Sequence, residues 1–296
     1  MAFSKGNVST ESAEIKRYTG VGSAYVRGVN PSKEELEKFF DRDLDNAPEY
    51  VSTVEVNGEK IPQVRIDFLV EADPEKYPDV ALKTRVTFFL RRAYRKSSAG
   101  KLQIIDKYGR TAWATPEEIK EKRVPVYSNG KPANIDAQYR LAYNGEEDLI
   151  KFLIAYLGIN SPQKYVNGEW IMKPANELSD CEAMLEHIEE YFSGNVKEIK
   201  EIIAFQPNNK VKILFGVRTA DDGRQYQSCY SRNFLKNSVS NYSRLDAEVK
   251  EAKNAGAYST TEFEVSELHE YVVTPTNLET TPVLENNPFA TATPWD

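Results

Sequence analysis

The stretch Thr84–Trp113, TRVTFFLRRAYRKSSAGKLQIIDKYGRTAW, decides the fold expected for this chain. Its first part alternates between two kinds of residue. One parity is apolar and consists of Val86, Phe88 and Leu90. The other parity carries cations around an aromatic ring and consists of Arg85, Phe89, Arg91 and Arg95. Because successive side chains of a strand point to opposite faces, the pattern predicts a strand with one buried face and one basic, aromatic face.

The second part of this stretch predicts a loop, a further strand and a turn. Lys96–Gly100 has the composition of a loop, and a second strand, paired with the first, is expected from Leu102. Four residues at and after the turn repeat the combination of ring and cation: Lys107, Tyr108, Arg110 and Trp113. Proteins that bind single-stranded nucleic acids stack bases on such rings and hold phosphates with such cations. Both sets of residues are therefore candidate nucleic-acid contacts, with Trp113 alternatively a core residue.

Positive charge is concentrated in this part of the chain. From Leu82 to Arg140 there are 14 Lys and Arg against 5 Asp and Glu, although the whole chain has a formal net charge of −7. Exposed Lys and Arg on strands more often form a solvated face than a binding site. The concentration of charge is what favours nucleic-acid binding here.

The preceding elements predict a compact sheet. Ser32, with Glu35 three residues later, has the pattern of a capping box and begins a short helix. Asn57-Gly58 separates two alternating segments and predicts a hairpin with a type I′ turn. Strand, small helix, hairpin and strand pair in this order suggest an OB-fold-like barrel, which binds oligonucleotides along one face. A sandwich of the same strands is the alternative.

The later sequence adds helices and a second hairpin. Helices are expected over Glu146–Gly158, from Ser179 or Asp180, and over Tyr242–Asn254. The hairpin turns at Asp221–Gly223, and its return strand offers Arg224 and Tyr226 as further nucleic-acid contacts. The fold class is therefore α+β and β-rich. An OB-like core is expected over residues 19–272, either as one unit or with a boundary near residues 142–160.

Both termini are expected to lie outside this core. Residues 1–18 predict a flexible arm, and residues 273–296 predict a disordered tail. From Ser259 onward the chain has seven acidic residues and no Lys or Arg. Three residues at its end are candidates for docking a partner protein: Phe289, Trp295 and Asp296. The alternative is a terminus without a role.

Several classes of function lack their sequence signals. The chain has four Cys and His residues: Cys181, His187, Cys229 and His269. They show no zinc-module spacing, so no metal or other cofactor is expected. The longest apolar run, Phe152–Ile159, is too short to span a membrane. No P-loop or other catalytic motif is found, so no enzyme is predicted. A metal nuclease needs only scattered carboxylates, for which Asp67, Asp106 and Asp136 would be available.

Three segments carry a resemblance to a known family. They are IDKYGRTAW (Ile105–Trp113), QPNNKVKILFGV (Gln206–Val217) and AGAYSTTEFEV (Ala255–Val265). They resemble the single-stranded DNA-binding protein family of crAss-like bacteriophages, over roughly residues 14–272. The resemblance implies a protein of phage DNA replication and recombination. The tail more loosely resembles the acidic C-terminal tails through which single-stranded DNA-binding proteins recruit partners. It departs from them because it ends in Asp296 and not in Phe.

The sequence thus predicts a protein that coats and protects single-stranded DNA. Its expected partners are single-stranded DNA and, through the tail, replication or recombination proteins. The expected location is the host cell cytoplasm, because two cysteines do not form a disulfide framework and a reducing compartment fits them. The alternative is a phage structural or packaged virion protein that does not coat DNA.

Overall fold

The computed structural model describes residues 16–178 and 180–272, which form a mixed α+β, strand-rich fold. The first elements are β1 (Tyr18–Val29), α1 (Lys33–Phe40), β2 (Val51–Val56), β3 (Glu59–Ala72) and β4 (Lys83–Tyr94). They are followed by β5 (Leu102–Asp106), β6 (Thr111–Ala114), α2 (Pro116–Lys120), β7 (Tyr139–Leu141), β8 (Tyr143–Asn144) and α3 (Glu146–Leu157). The next are β9 (Gln163–Val166), β10 (Glu169–Met172), a 3-10 helix (Ala175–Glu177), α4 (Glu182–Glu186), a second 3-10 helix (Ile188–Ser193) and α5 (Val196–Ile202). The last are β11 (Lys210–Thr219), β12 (Gln225–Cys229), β13 (Leu235–Lys236), α6 (Ser243–Asn254), β14 (Thr261–Phe263) and β15 (His269–Glu270).

One antiparallel sheet dominates the described part of the chain. Its main path runs β12-β11-β1-β3-β4-β8, with β2 paired to β3, β13 and β14 to β11, and β15 to β1. The sheet curls into a half-barrel, and β12 also approaches β4. Two small sheets accompany it: β6-β5-β7 and the hairpin β9-β10.

The core fills the inner face of this curl. On β4 the side chains of Val86, Phe88 and Leu90 are buried, as the alternation predicted. Helix α3 packs against them through Phe152, whose ring lies 5.4 Å from that of Phe88 and 4.5 Å from that of Phe68 on β3. Aromatic packing of this kind fixes which face of β4 points outward.

Local sequence signals produced the expected turns and helix ends. The capping box at Ser32 and Glu35 is formed. Asn57 and Gly58 both have positive φ, 54° and 83°, as a type I′ turn requires. Within the described ranges, none of the helices is both long and apolar enough to cross a membrane.

Three expectations were wrong in detail. β5 pairs mainly with β6 and β7, and it meets the chain just after β4 only through the antiparallel bridge between Lys96 and Leu102. Arg95 lies beyond the end of β4, after an irregularity in register between Arg91 and Tyr94, so it does not share the strand parity of Arg85 and Arg91. The helix expected from Ser179 or Asp180 is broken into α4 and a 3-10 helix. Of its apolar residues, Met184, Leu185 and Ile188 are buried as the pattern indicated, and Phe192 is partly buried.

Candidate nucleic-acid interface

The outward face of β3 and β4 brings cations around a solvent-exposed ring. In the antiparallel register, Phe89 lies opposite Arg65 and Arg91 lies opposite Gln63. We call this surface the β3–β4 outer face, and it consists of Gln63, Arg65, Asp67, Arg85, Thr87, Phe89 and Arg91. The Phe89 side chain is 49% exposed in the middle of it. A large apolar ring left open within a strand surrounded by arginine is a natural platform for a planar, anionic ligand.

A single buried carboxylate organises the arginines of this face. Asp67 is fully buried and receives Arg65 Nε and Nη2 at 2.9 Å and 2.7 Å. Arg85 Nη1 lies 3.5 Å from Asp67 Oδ2, and the Thr87 hydroxyl donates to Oδ1 at 2.8 Å. Asp67 therefore holds two guanidinium groups in place, with their side chains still 27% and 34% exposed. The face presents three guanidinium groups against this one carboxylate.

Arg65 was not among the residues predicted for the site. The alternation of β3 was visible in the sequence, but the register that sets Arg65 opposite Phe89 was not assigned from it. Arg91, which was predicted, donates from Nε to Gln63 Oε1 at 2.8 Å and makes no ion pair within the described part of the chain. It is therefore the cation of this face with the least of its charge compensated.

The start of α3 supports the backbone under Phe89. Gly145 caps this helix with φ +86°, and a Cβ at that position would overlap the carbonyl oxygen of Phe89. Only glycine combines this backbone conformation with so close an approach. The edge of β4 at Phe89 is thus held by the chain that leads from β8 into α3, which is the kind of rigid support that a stacking residue needs.

Arg95 and Trp113 belong to an internal network. Arg95 Nη1 pairs with Glu147 Oε2 at 2.8 Å, and its guanidinium lies 5.7 Å from the centre of the half-buried Trp113 ring. Glu147 also receives Lys151 Nζ at 2.8 Å and Gln103 Nε2 at 2.6 Å. Arg95 is therefore held in this network and lies beyond the end of β4, so we do not assign it to the β3–β4 outer face.

The charge of Glu147 should stabilise the fold measurably. Burial raises the pKa of its carboxyl, but the hydrogen bonds and charges of Lys151, Gln103 and Arg95 outweigh burial and hold the pKa below its ordinary value. We expect Glu147→Gln to lower the free energy of unfolding at neutral pH by about 1–3 kcal/mol. A group with a depressed folded pKa loses its contribution as pH falls through that pKa, so the difference from the wild type should vanish in acid.

Thermal or urea unfolding across pH values below 7 checks this expectation. The matched control is Glu201→Gln, because Glu201 is 67% exposed and lies 3.9 Å from its lysine partner, Lys197. Surface pairs of that kind contribute little, so the control should unfold like the wild type. A difference that persists below the folded pKa of Glu147 would attribute its effect to packing and not to charge.

The predicted contacts at the β5–β6 turn are also engaged within the protein. The Tyr108 ring is only 7% exposed, so it lacks the free face that stacking on a base requires. Arg110 pairs with the buried Asp106 at 2.7 Å and donates to Asn134 Oδ1 at 2.9 Å. Lys107 lies over the Tyr108 ring at 5.3 Å. We therefore do not assign these two residues to the interface, because the Tyr108 ring is buried and Arg110 lies on the β5–β6 turn and not on the β3–β4 outer face.

The β11–β12 hairpin carries the other predicted pair. Tyr226 is 41% exposed, and Arg218, its cross-strand neighbour, lies 5.6 Å from the ring centre. Arg224 precedes β12 and sits 3.5 Å from Asp222. The adjacent turn also contains Asp221, so two carboxylates offset the two arginines. Near this turn the hairpin has a ring but no excess of positive charge, and we do not assign it to the interface.

Two further predictions concern residues away from this face. Phe289, Trp295 and Asp296 lie outside the described residues, as does most of the predicted N-terminal arm. In residues 16–178 and 180–272, no group of three or more His, Cys, Asp or Glu side chains is placed to hold a metal ion. Cys181 and Cys229 are both free thiols.

Comparisons with known proteins return no match: no family model, no curated protein and no solved structure is similar to this chain. The function is therefore inferred from the geometry of the β3–β4 outer face.

Proposed function

We propose that this protein binds single-stranded DNA through the β3–β4 outer face. The observation that carries the proposal is the half-exposed ring of Phe89 with Arg65 directly opposite and with Arg85 and Arg91 on the same face. A base stacks on the ring, and the guanidinium groups bind the phosphates on either side of it. The arrangement needs no chemistry on the DNA, and we propose binding without catalysis.

The same features favour a single strand over a duplex. A ring on a sheet surface reaches the flat face of a base only when that base is unstacked, which a duplex does not offer without distortion. Arginines aimed at phosphates carry no sequence information, and stacking tolerates every base. Binding of this kind covers DNA regardless of sequence, as a coating protein must.

The wider role belongs to the same proposal. The curled antiparallel sheet supports an OB-fold-like use of one sheet face, although the main sheet has ten strands where an OB-fold barrel has five. The resemblance to the crAss-like phage family supports action in phage DNA replication and recombination in the host cytoplasm. We further propose that residues 273–296, with Phe289 and Trp295, recruit replication or recombination proteins.

The double variant Arg85→Ala/Arg91→Ala tests the phosphate contacts. Removing one cation that binds a phosphate of a single strand should reduce the slope of log K against log salt by about 0.7, so the double variant should reduce it by about 1.4. Affinity should fall for all oligonucleotide sequences alike, because phosphates are common to them. Fluorescence anisotropy with labelled oligo-dT at several salt concentrations measures both quantities.

A matched double variant controls for net charge. Arg224 and Arg244 are 77% and 90% exposed and lie beside carboxylates on other surfaces. Arg224→Ala/Arg244→Ala removes the same charge as the test variant and should leave the slope unchanged. If the two double variants lose equal affinity and slope, binding is a general charge effect and the assigned face is wrong.

A further inference from the structure

A groove lies beside the proposed interface, between α1 and the same face of the sheet. It has a volume of about 390 Å³. Its apolar lining comes from Gly28 and Pro31 near the end of β1, Phe39 on α1 and Leu69 on β3. We call it the α1 groove. Its lining is partly apolar and partly charged.

The α1 groove and the β3–β4 outer face share the strands β3 and β4. In the β3–β4 register Leu69 is opposite Arg85, and the next outward pair is Glu71 opposite Lys83. Leu69 and Lys83 both line the groove, while Arg85 belongs to the face. From Phe89 to Lys83 is six residues along β4, which is about 20 Å at the rise of an extended strand. A single strand bound at Phe89 therefore needs only a few nucleotides to span the distance to the groove.

Lysines line the groove, and its two carboxylates each have a hydrogen-bond or ion-pair partner. Lys38 on α1, Lys83 on β4 and Lys200 on α5 line it, and no described carboxylate lies within ion-pair distance of any of the three. Of the two acidic residues there, Glu35 accepts the Ser32 backbone N–H at 2.8 Å, and Glu71 pairs with Arg27 at 2.9 Å.

This charge pattern points to an anion with a flat apolar part. The Lys83 ammonium lies 5.2 Å from the centre of the Phe39 ring, so cation and ring are adjacent in the groove. A nucleotide has the matching pair of features, since its phosphate suits the lysines and its base suits the apolar lining.

We propose that the α1 groove holds a second nucleotide of the DNA strand that crosses the β3–β4 outer face. The proposal rests on the proposed function, because it needs the strand to be on that face first. A free nucleotide offers the same chemistry, and titration with thymidine monophosphate separates the two sources. In the bound state Lys38 and Lys200 contact the phosphate of this nucleotide from two different helices.

The test compares two double lysine variants on the same two helices. Lys38→Ala/Lys200→Ala removes the groove cations. Lys33→Ala/Lys197→Ala removes lysines from α1 and α5 that pair with Glu37 and Glu201 at 3.6 Å and 3.9 Å. Both variants lose the same net charge. With oligo-dT of about 16 nucleotides, the groove variant should bind several-fold more weakly with a salt slope smaller by about 1.4, and the control should match the wild type.

The possible failures are distinguishable when Phe89→Ala is titrated alongside. If Phe89→Ala weakens binding but the groove variant behaves like its control, the groove inference is overturned and the proposed function stands. If neither Phe89→Ala nor the groove variant changes binding, both proposals fail. A third outcome is that thymidine monophosphate alone binds the wild type but not Lys38→Ala/Lys200→Ala, while oligo-dT binds both equally. That outcome would assign the groove to free nucleotides and overturn the inference.

Discussion

Phe89→Ala should weaken binding of single-stranded DNA by about 1–3 kcal/mol, which is roughly a 5- to 150-fold loss of affinity. The ring is 49% exposed, so its removal leaves little cavity in the core. The neighbouring core residues Phe88 and Leu90 point to the other face of β4 and keep their packing. Stability should therefore change little while affinity falls. Anisotropy titration with oligo-dT and a thermal melt of the same preparation measure the two effects.

Tyr226→Ala is the matched control for the loss of an exposed ring. Tyr226 is 41% exposed on a strand, with the Arg218 guanidinium 5.6 Å from its centre. It differs from Phe89 in its surroundings, because carboxylates of the adjacent turn offset the nearby arginines. We expect this variant to bind like the wild type, and Phe89→Trp to retain most of the affinity. If Tyr226→Ala loses more affinity than Phe89→Ala, the interface lies on the β11–β12 hairpin instead.

Asp67→Asn should lower the free energy of unfolding by on the order of 3 kcal/mol. Its carboxylate is fully buried and binds Arg65, Arg85 and Thr87. An amide cannot offer acceptors to all three partners, and it leaves two guanidinium groups close together without a compensating charge. The arginines are themselves partly exposed, which keeps the expected loss at the lower end of the range for buried pairs. Urea unfolding at neutral pH measures the difference.

The exposed pair of Asp222 and Arg224 gives the comparison for this variant. Their side chains are 51% and 77% exposed, and the closest nitrogen and oxygen are 3.5 Å apart. Asp222→Asn should change stability by less than about 1 kcal/mol, because solvent screens such pairs. Equal losses in the two variants would mean that Asp67 does not organise the arginines of the β3–β4 outer face.

The parts of the fold set by neighbouring residues were predictable. The inward parity of Val86, Phe88 and Leu90 follows from alternation, which needs no knowledge of the partner strand. The Asn57-Gly58 turn and the capping box at Ser32 depend on residues at most three positions apart. Phe89 and Arg91 were placed correctly on the outer face for the same reason.

Residues whose role depends on distant partners were not predictable in this way. Arg95 resembled a phosphate contact until the fold placed Glu147, 52 residues later, against its guanidinium. Arg65 was overlooked because only the β3–β4 register shows that it faces Phe89. Arg110 is different, since its partner Asp106 is only four residues away, but spacing of this kind predicts an ion pair on a helix and not across a turn.

The order and pairing of the strands in the sheet could not be predicted from the sequence. β1 pairs with β11 in a register that sets Gly20 opposite Phe215, although these two residues are 195 positions apart in the sequence. Their alternation predicts strands but not which strand each one joins. The bulge near the end of β4, which removes Arg95 from the outer face, likewise depends on pairing with β8.

The most direct test of the central claim is a titration of the wild-type protein with labelled oligo-dT and with duplex of equal length at several salt concentrations. We predict tighter binding to the single strand, with affinity falling linearly in log salt. If Arg65, Arg85 and Arg91 each contact a phosphate, the slope should be at least about 2 in magnitude. Equal or tighter binding to the duplex, or no salt-dependent binding to either, would contradict the account.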